Sequence, residues 1–107
     1  MFKQLLNKLF GSESNQANLN QIIQDGAFLV DVRSPEEYLL GSVKGAVNIP
    51  LDQLPSQLKK FENKKSIIVF CRSGMRSSQA KSVLEKNNLS NVHDGGTWES
   101  VNKLVEL

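Results

Sequence analysis

The chain has 107 residues, with 13 Lys+Arg against 11 Asp+Glu and a formal charge of +2. At roughly 100–200 residues per domain this is one domain, and 39% hydrophobic with 22% charged residues is the composition of a chain that can bury a core. A single cysteine and a single histidine exclude an internal disulfide framework and a Cys/His zinc cage, the mild charge without a basic run argues against nucleic acid as a partner, and no stretch approaches the ~18 apolar residues of a membrane span.

The opening MFKQLLNKLF places Phe2, Leu5, Leu6, Leu9 and Phe10 on one helical stripe opposite Lys3, Asn7 and Lys8. Such a stripe can pack on the domain, meet a partner or lie on a membrane surface. Packing or self-association is favoured, because two lysines and ten residues give a membrane little to hold. No small-residue cleavage site follows this apolar segment, so a secretory signal is not expected. A lone thiol without export then points to a reducing, cytoplasmic setting. Gly11 to Gln16 is small and polar, a linker or cap. Residues 1–16 therefore read as an N-terminal amphipathic helix with a short linker, ahead of a domain over 17–107.

Within that domain, Asn18 to Asp25 is helical, and Gly26 supplies a left-handed cap. Phe28-Leu29-Val30-Asp31-Val32 predicts a buried strand. Ser34-Pro35-Glu36-Glu37 is a capping box with Pro at the first helical position, opening a short helix through Leu40 that Gly41 stops. Ala46 to Ile49 predicts a second strand, closed by Pro50. Leucines at 51, 54 and 58 keep helical spacing that Pro55 interrupts. Ser66 to Phe70 is the strongest strand signal in the chain. Residues 76–88 read as a helix, Asn91 to His93 as a brief strand, and Gly95-Gly96 as a turn into a last helix ending near Val105. Four strands separated by helices, apolar throughout rather than alternating, predict a parallel sheet covered on both faces. Chemistry in such sheets sits in loops at the carboxyl ends of the strands, and Cys71 directly follows the strongest one.

The segment Cys71-Arg72-Ser73-Gly74-Met75-Arg76-Ser77 has its own chemical logic. Gly74 permits positive φ, so successive N–H groups can converge on one point. The helix that follows aims its unsatisfied donors and positive dipole end at the same place. Arg72 and Arg76 add two cations. These effects favour thiolate and predict a Cys71 pKa below the ~8.5 of a free cysteine. The loop reads as a nucleophile in an anion cradle, and that reading requires a thiol that solvent can reach. The alternative is a buried Cys71 serving as a small hydrophobe, which its apolar neighbours on the N-terminal side would suit.

Here the sequence resembles a known family. The loop from Cys71 to Ser77 resembles the active-site loop of single-domain rhodanese-like sulfurtransferases. FLVDVRSPEEY (28–38) with GSVKGAVNIPL (41–51) is similar to that family's first signature, and VHDGGTW (92–98) to its Gly-Gly–aromatic ending. The three motifs span about residues 17–106 in the family's order. The sequence departs from it with Ser42-Val43-Lys44 where His-Ile-Pro is common, and with Trp98 only two residues after Gly96. The resemblance implies an α/β three-layer sandwich with a central parallel five-stranded sheet and helices on both faces. It also implies that Cys71 takes a sulfane sulfur from a small anionic donor, thiosulfate or a persulfide. The resulting persulfide passes that sulfur to cyanide, a thiol or a protein thiol, with no metal or organic cofactor. Arg76 would shape the loop and offer charge to the donor, and Arg72 would attract anions at the mouth.

A carrier or protein-interaction module without turnover is the alternative, motivated by the N-terminal stripe. A phosphatase is a further alternative. Four residues, Arg72 to Met75, separate Cys71 from Arg76, whereas the related dual-specificity phosphatases use five. The smaller ring suits a terminal sulfur better than a phosphoryl group. Asp31 and Arg33 lie at the same sheet edge as Cys71. Asp31 either hydrogen-bonds the loop or joins an ion pair with Arg33, Glu36 and Glu37 that is only structural, and for Arg33 and Glu37 the structural role is favoured. His93 reads as a surface or hydrogen-bonded histidine, Trp98 as core or pocket wall, and Met75 as either a mouth residue or a gap-filler.

Overall fold

The structure, a computed structural model, describes the backbone of residues 11–107 and the side chains of residues 18–107. The stripe from Phe2 to Phe10 lies outside the described residues. The elements are α1 (Gly11–Gln24), β1 (Phe28–Asp31), α2 (Pro35–Leu40), β2 (Val47–Asn48), two 3-10 turns (Leu51–Ser56 and Leu58–Phe61), β3 (Ile67–Cys71), α3 (Met75–Lys86), β4 (Val92–Thr97) and α4 (Trp98–Val105). Helix α1 runs through residues 11–16, expected to be a linker; that stretch holds no proline, and its only glycine stands at the helix start.

All strand pairs are parallel, in the order β2-β1-β3-β4. The expected five-stranded sheet is therefore corrected to four strands among the described residues. Residues 11–24, ahead of β1, are polar and helical, so among the described residues they offer the sheet no further apolar run. β3 is central and buried along its whole length. Its side chains alternate between two cores, as the pleat requires. Ile67, Val69 and Cys71 join Val30, Leu54, Phe61, Ala80 and Leu84 beneath α3 and the 3-10 turns. Ile68 and Phe70 join Leu19, Leu29 and Val101 beneath α1 and α4. Each fully buried aliphatic or aromatic side chain contributes about 1.5–3 kcal/mol. The three-layer sandwich expected from the pattern is what forms.

The last strand differs from its expectation. β4 extends through both glycines instead of turning at them. Val69 pairs with Asp94 and Phe70 with Gly96, so Gly95 is the extra residue of a bulge. A Cβ there would stand 2.6 Å from Val101 Cγ2 and 3.0 Å from Ile68 Cγ2, so only glycine lets α4 pack this close. Thr97 then caps α4, its side chain accepting from the Ser100 N–H. Among the described residues no helix is long and apolar enough to cross a membrane.

Candidate active site

The carboxyl ends of β1 and β3 lie side by side, with Asp31 paired to Phe70. Cys71 is the final residue of β3. Three residues later Gly74 takes φ 97°, ψ −11°, and α3 begins at Met75. A glycine cap carries no side chain to accept from the first turn of the helix, and the sulfur takes over that role. The Gly74 N–H donates to Cys71 Sγ at 3.0 Å, and the N–H of Ser77, third residue of α3, donates at 3.4 Å. The Ser77 hydroxyl donates to the Gly74 carbonyl at 3.0 Å and ties the loop to the helix.

These contacts set the charge on sulfur. Burial pushes the Cys71 thiol up. The Ser77 N–H and hydroxyl, with the N–H groups of Gly74 and Ser73, outweigh that and hold it below its ordinary value. The expected direction is present, and hydrogen bonds from the backbone and the Ser77 hydroxyl are its leading causes. The expected open thiol is not present: Cys71 has no exposed surface. Arg72, Ser73 and Met75 are exposed above it. The loop is both the cradle and the cover.

Arg76 does not face the sulfur as a free cation. Its Nη1 and Nη2 donate to the two carboxylate oxygens of Glu37 at 2.6 and 3.0 Å. That guanidinium lowers the Glu37 carboxyl to about 2, while the pair raises Arg76 above its ordinary value. Glu37 also closes the capping box of α2, accepting from the Ser34 N–H at 3.2 Å and hydroxyl at 3.1 Å. The ion pair of Glu37 with Asp31, Arg33 and Glu36 that the sequence suggested does not form; its partner is Arg76.

Asp31 makes no bond to the loop. Fully buried, it accepts from the Arg33 N–H at 3.0 Å, from Arg33 Nε at 2.9 Å and Nη2 at 2.7 Å, and from the Ser42 hydroxyl at 2.7 Å. Arg33 completes its set with the Gly41 carbonyl at 2.6 Å and lies 5.1 Å from the Trp98 ring centroid. Of the cluster suggested for Asp31, the pair with Arg33 forms, without Glu36 or Glu37. Sequence reasoning missed Ser42, which stands where the family often has histidine. Its hydroxyl takes the fourth donor position on this carboxylate.

Two depressions flank the loop. One, of about 270 Å³, is lined by Arg33, Glu37, Leu40, Arg72, Trp98 and Glu99, with Gly41. The other, of about 400 Å³, is lined by Val32, Ser34, Pro50, Leu51, Asp52 and Arg76. The Arg76–Glu37 pair spans the two. Leu40 and Met75 stand beside the loop at 91% and 72% exposure. His93 lines a separate cavity of about 320 Å³ with Lys81 and Asp94, sharing no residue with the loop, and burial and Lys81 push its pKa down.

The arrangement holds the Cys71 sulfur on backbone donors at the start of a helix, which favours its anionic form. Comparison with known proteins agrees in kind. Residues 15–99 match the family Rhodanese, described as a rhodanese-like domain. The chain is 35% identical over 68 residues to the uncharacterized protein YqhL of Bacillus subtilis, covering 64% of this chain and 54% of that one. It is 33% identical over 74 residues to thiosulfate sulfurtransferase PspE of Escherichia coli, covering 67% of this chain and 71% of PspE. The crystal structure of a rhodanese-related protein from Thermoplasma volcanium superposes with a TM-score of 0.69 at 32% identity, over 82% of this chain and 87% of that one.

Proposed function

Because the chain belongs to the rhodanese-like domain family, we propose that it is a sulfurtransferase whose catalytic residue is Cys71. The observation that carries this reading is the sulfur at the tip of β3, accepting from the Gly74 and Ser77 N–H groups. In the first step the Cys71 thiolate attacks the outer sulfur of the donor. The donor's S–S bond breaks and its electron pair leaves with sulfite, when the donor is thiosulfate, or with a thiolate, when it is a persulfide. Cys71 then carries a persulfide. In the second step a thiol or cyanide acceptor attacks the outer sulfur, and the Cys71 thiolate departs and is restored. Neither step needs an oxidant, a reductant or a metal, and splitting one transfer into two substitutions is covalent catalysis.

The N–H groups that stabilise the thiolate also stabilise it as the leaving group of the second step. They are preorganised, because helix α3 fixes one and the left-handed Gly74 fixes the other. Ser73, Met75 and Arg72 form the loop over the sulfur, and that loop must give way for a donor to reach it. Arg76 and Ser77 hold its C-terminal end. Asp31 and Arg33 are positioning residues that keep the neighbouring end of β1 rigid.

Incubation with thiosulfate or an alkyl persulfide, followed by intact mass measurement, tests the proposal. The expected result is a gain of one sulfur atom on the wild type and none on Cys71→Ser. A gain retained by Cys71→Ser overturns it, as does a native Cys71 that neither donors nor iodoacetamide can reach.

A further inference from the structure

The loop presents a cation where a dianionic donor would need one, and the fold has already neutralised it. Arg76 is the second residue of α3, close enough to the sulfur for a thiolate there to favour its charged form. Glu37 occupies both of its Nη atoms, at 2.6 and 3.0 Å. Glu37 is itself held in place by the Ser34 N–H and hydroxyl, so the pair is built into the α2 cap rather than assembled by chance on a surface.

Charge around the sulfur is balanced on both sides. The first depression has Arg33 and Arg72 against Glu37 and Glu99; the second has Arg76 against Asp52. Arg33 is further committed to the buried Asp31. A small dianion approaching Cys71 therefore meets side-chain charges that cancel, and it meets a sulfur that is itself held toward the anionic form. The exposed Leu40, in the first depression, and Met75, in the loop, offer contact to carbon, not to charge.

We propose that Glu37 is a specificity-determining residue: by holding the Arg76 guanidinium it discriminates against small divalent oxyanions such as thiosulfate and reserves Cys71 for persulfides of organic thiols, which present at most one charge at the reacting sulfur. This rests on the sulfurtransferase reading above and names its donor class. Glu37 touches no reacting atom; it acts through Arg76.

The test reads charge selectivity at the thiol with and without sulfur transfer. Cys71 is alkylated with anionic iodoacetate and with neutral iodoacetamide, in the wild type and in Glu37→Gln. Gln keeps the capping-box contact to the Ser34 N–H but releases the ion pair. The expected result is a rise of about 3–10-fold in the iodoacetate-to-iodoacetamide rate ratio, shrinking as salt is raised. Sulfur loading from thiosulfate, relative to loading from 2-hydroxyethyl persulfide, should rise in parallel. The double variant Glu37→Gln/Arg76→Gln should return both ratios toward the wild type. Ser34→Ala, which loosens the cap and leaves the ion pair, should leave them unchanged.

Unchanged ratios in Glu37→Gln overturn the proposal, as does an equal rise in Ser34→Ala or a rise that survives loss of Arg76. If the alkylation ratio rises but neither donor loads sulfur, the sulfurtransferase reading falls and the charge selectivity stands. If both donors load Cys71 with ratios that Glu37→Gln does not move, the reverse holds. A thiol inert to both reagents in both proteins overturns both.

Discussion

Two polar clusters stand at the carboxyl ends of neighbouring strands and are built in opposite ways. At the end of β1 the Asp31 carboxylate is wholly buried and surrounded by donors from Arg33 and Ser42. At the end of β3 the Cys71 sulfur is equally buried, yet its partners are backbone N–H groups from a loop whose outer residues are exposed. An acceptor saturated by packed side chains has no capacity for another ligand and serves the scaffold. An acceptor held by backbone donors under a single exposed loop can meet an incoming atom once that loop gives way, as the role proposed for Cys71 requires. Burial is the same at both sites; the donors differ, being chiefly packed side chains at Asp31 and chiefly loop N–H groups at Cys71.

The largest expected effect falls on the scaffold side. Asp31→Ala leaves Arg33 buried without its carboxylate and should cost about 3–5 kcal/mol in urea unfolding. The pH midpoint of Cys71 alkylation should barely move. A large shift in that midpoint would mean that the two clusters act as one.

Next comes Gly74→Ala, which places a Cβ at φ 97°. It should lower stability by about 1–2 kcal/mol. Because it disturbs a donor to the sulfur, it should also move the alkylation midpoint upward, so that this substitution, unlike Asp31→Ala, shows in both measurements.

Ser77→Ala is smaller in stability, within about 1 kcal/mol. It removes the hydroxyl that helps hold the Cys71 thiol down. The expected result is again an upward move of the midpoint, read from the iodoacetamide rate against pH. An unmoved midpoint would assign the whole effect to the backbone.

The smallest effect is the acid limb of the Glu37–Arg76 pair. With its folded pKa lowered from 4.5 to about 2, Glu37 contributes stability that is fully present above pH 4.5 and is lost as pH falls toward 2. The difference in unfolding free energy between the wild type and Glu37→Gln should therefore shrink through that window. A difference that does not vary with pH would show that the pair contributes nothing electrostatic.

Much of this molecule is legible in its sequence. Ser34-Pro35-Glu36-Glu37 announced α2 and its cap, because capping is local and depends on residue types three positions apart. The run Ile67 to Phe70 announced the central strand, and Gly74 announced the left-handed turn after Cys71. Gly95-Gly96 misled, because a glycine required by close packing against Val101 and Ile68 looks in sequence like one required by a turn. Leu39 and Leu40, apolar yet 81% and 91% exposed, could equally have been core.

Residues close along the chain determined the cradle by themselves: a strand end, a thiol, a glycine and a helix start within seven positions, whose N–H groups converge through backbone geometry alone. Only the tertiary structure decided where the charges go. Glu37 lies 39 positions from Arg76, and Ser42 lies 11 from Asp31. Side chains so far apart meet because parallel strands bring their carboxyl ends to one edge, and which cation each carboxylate takes depends on distances that no local pattern encodes.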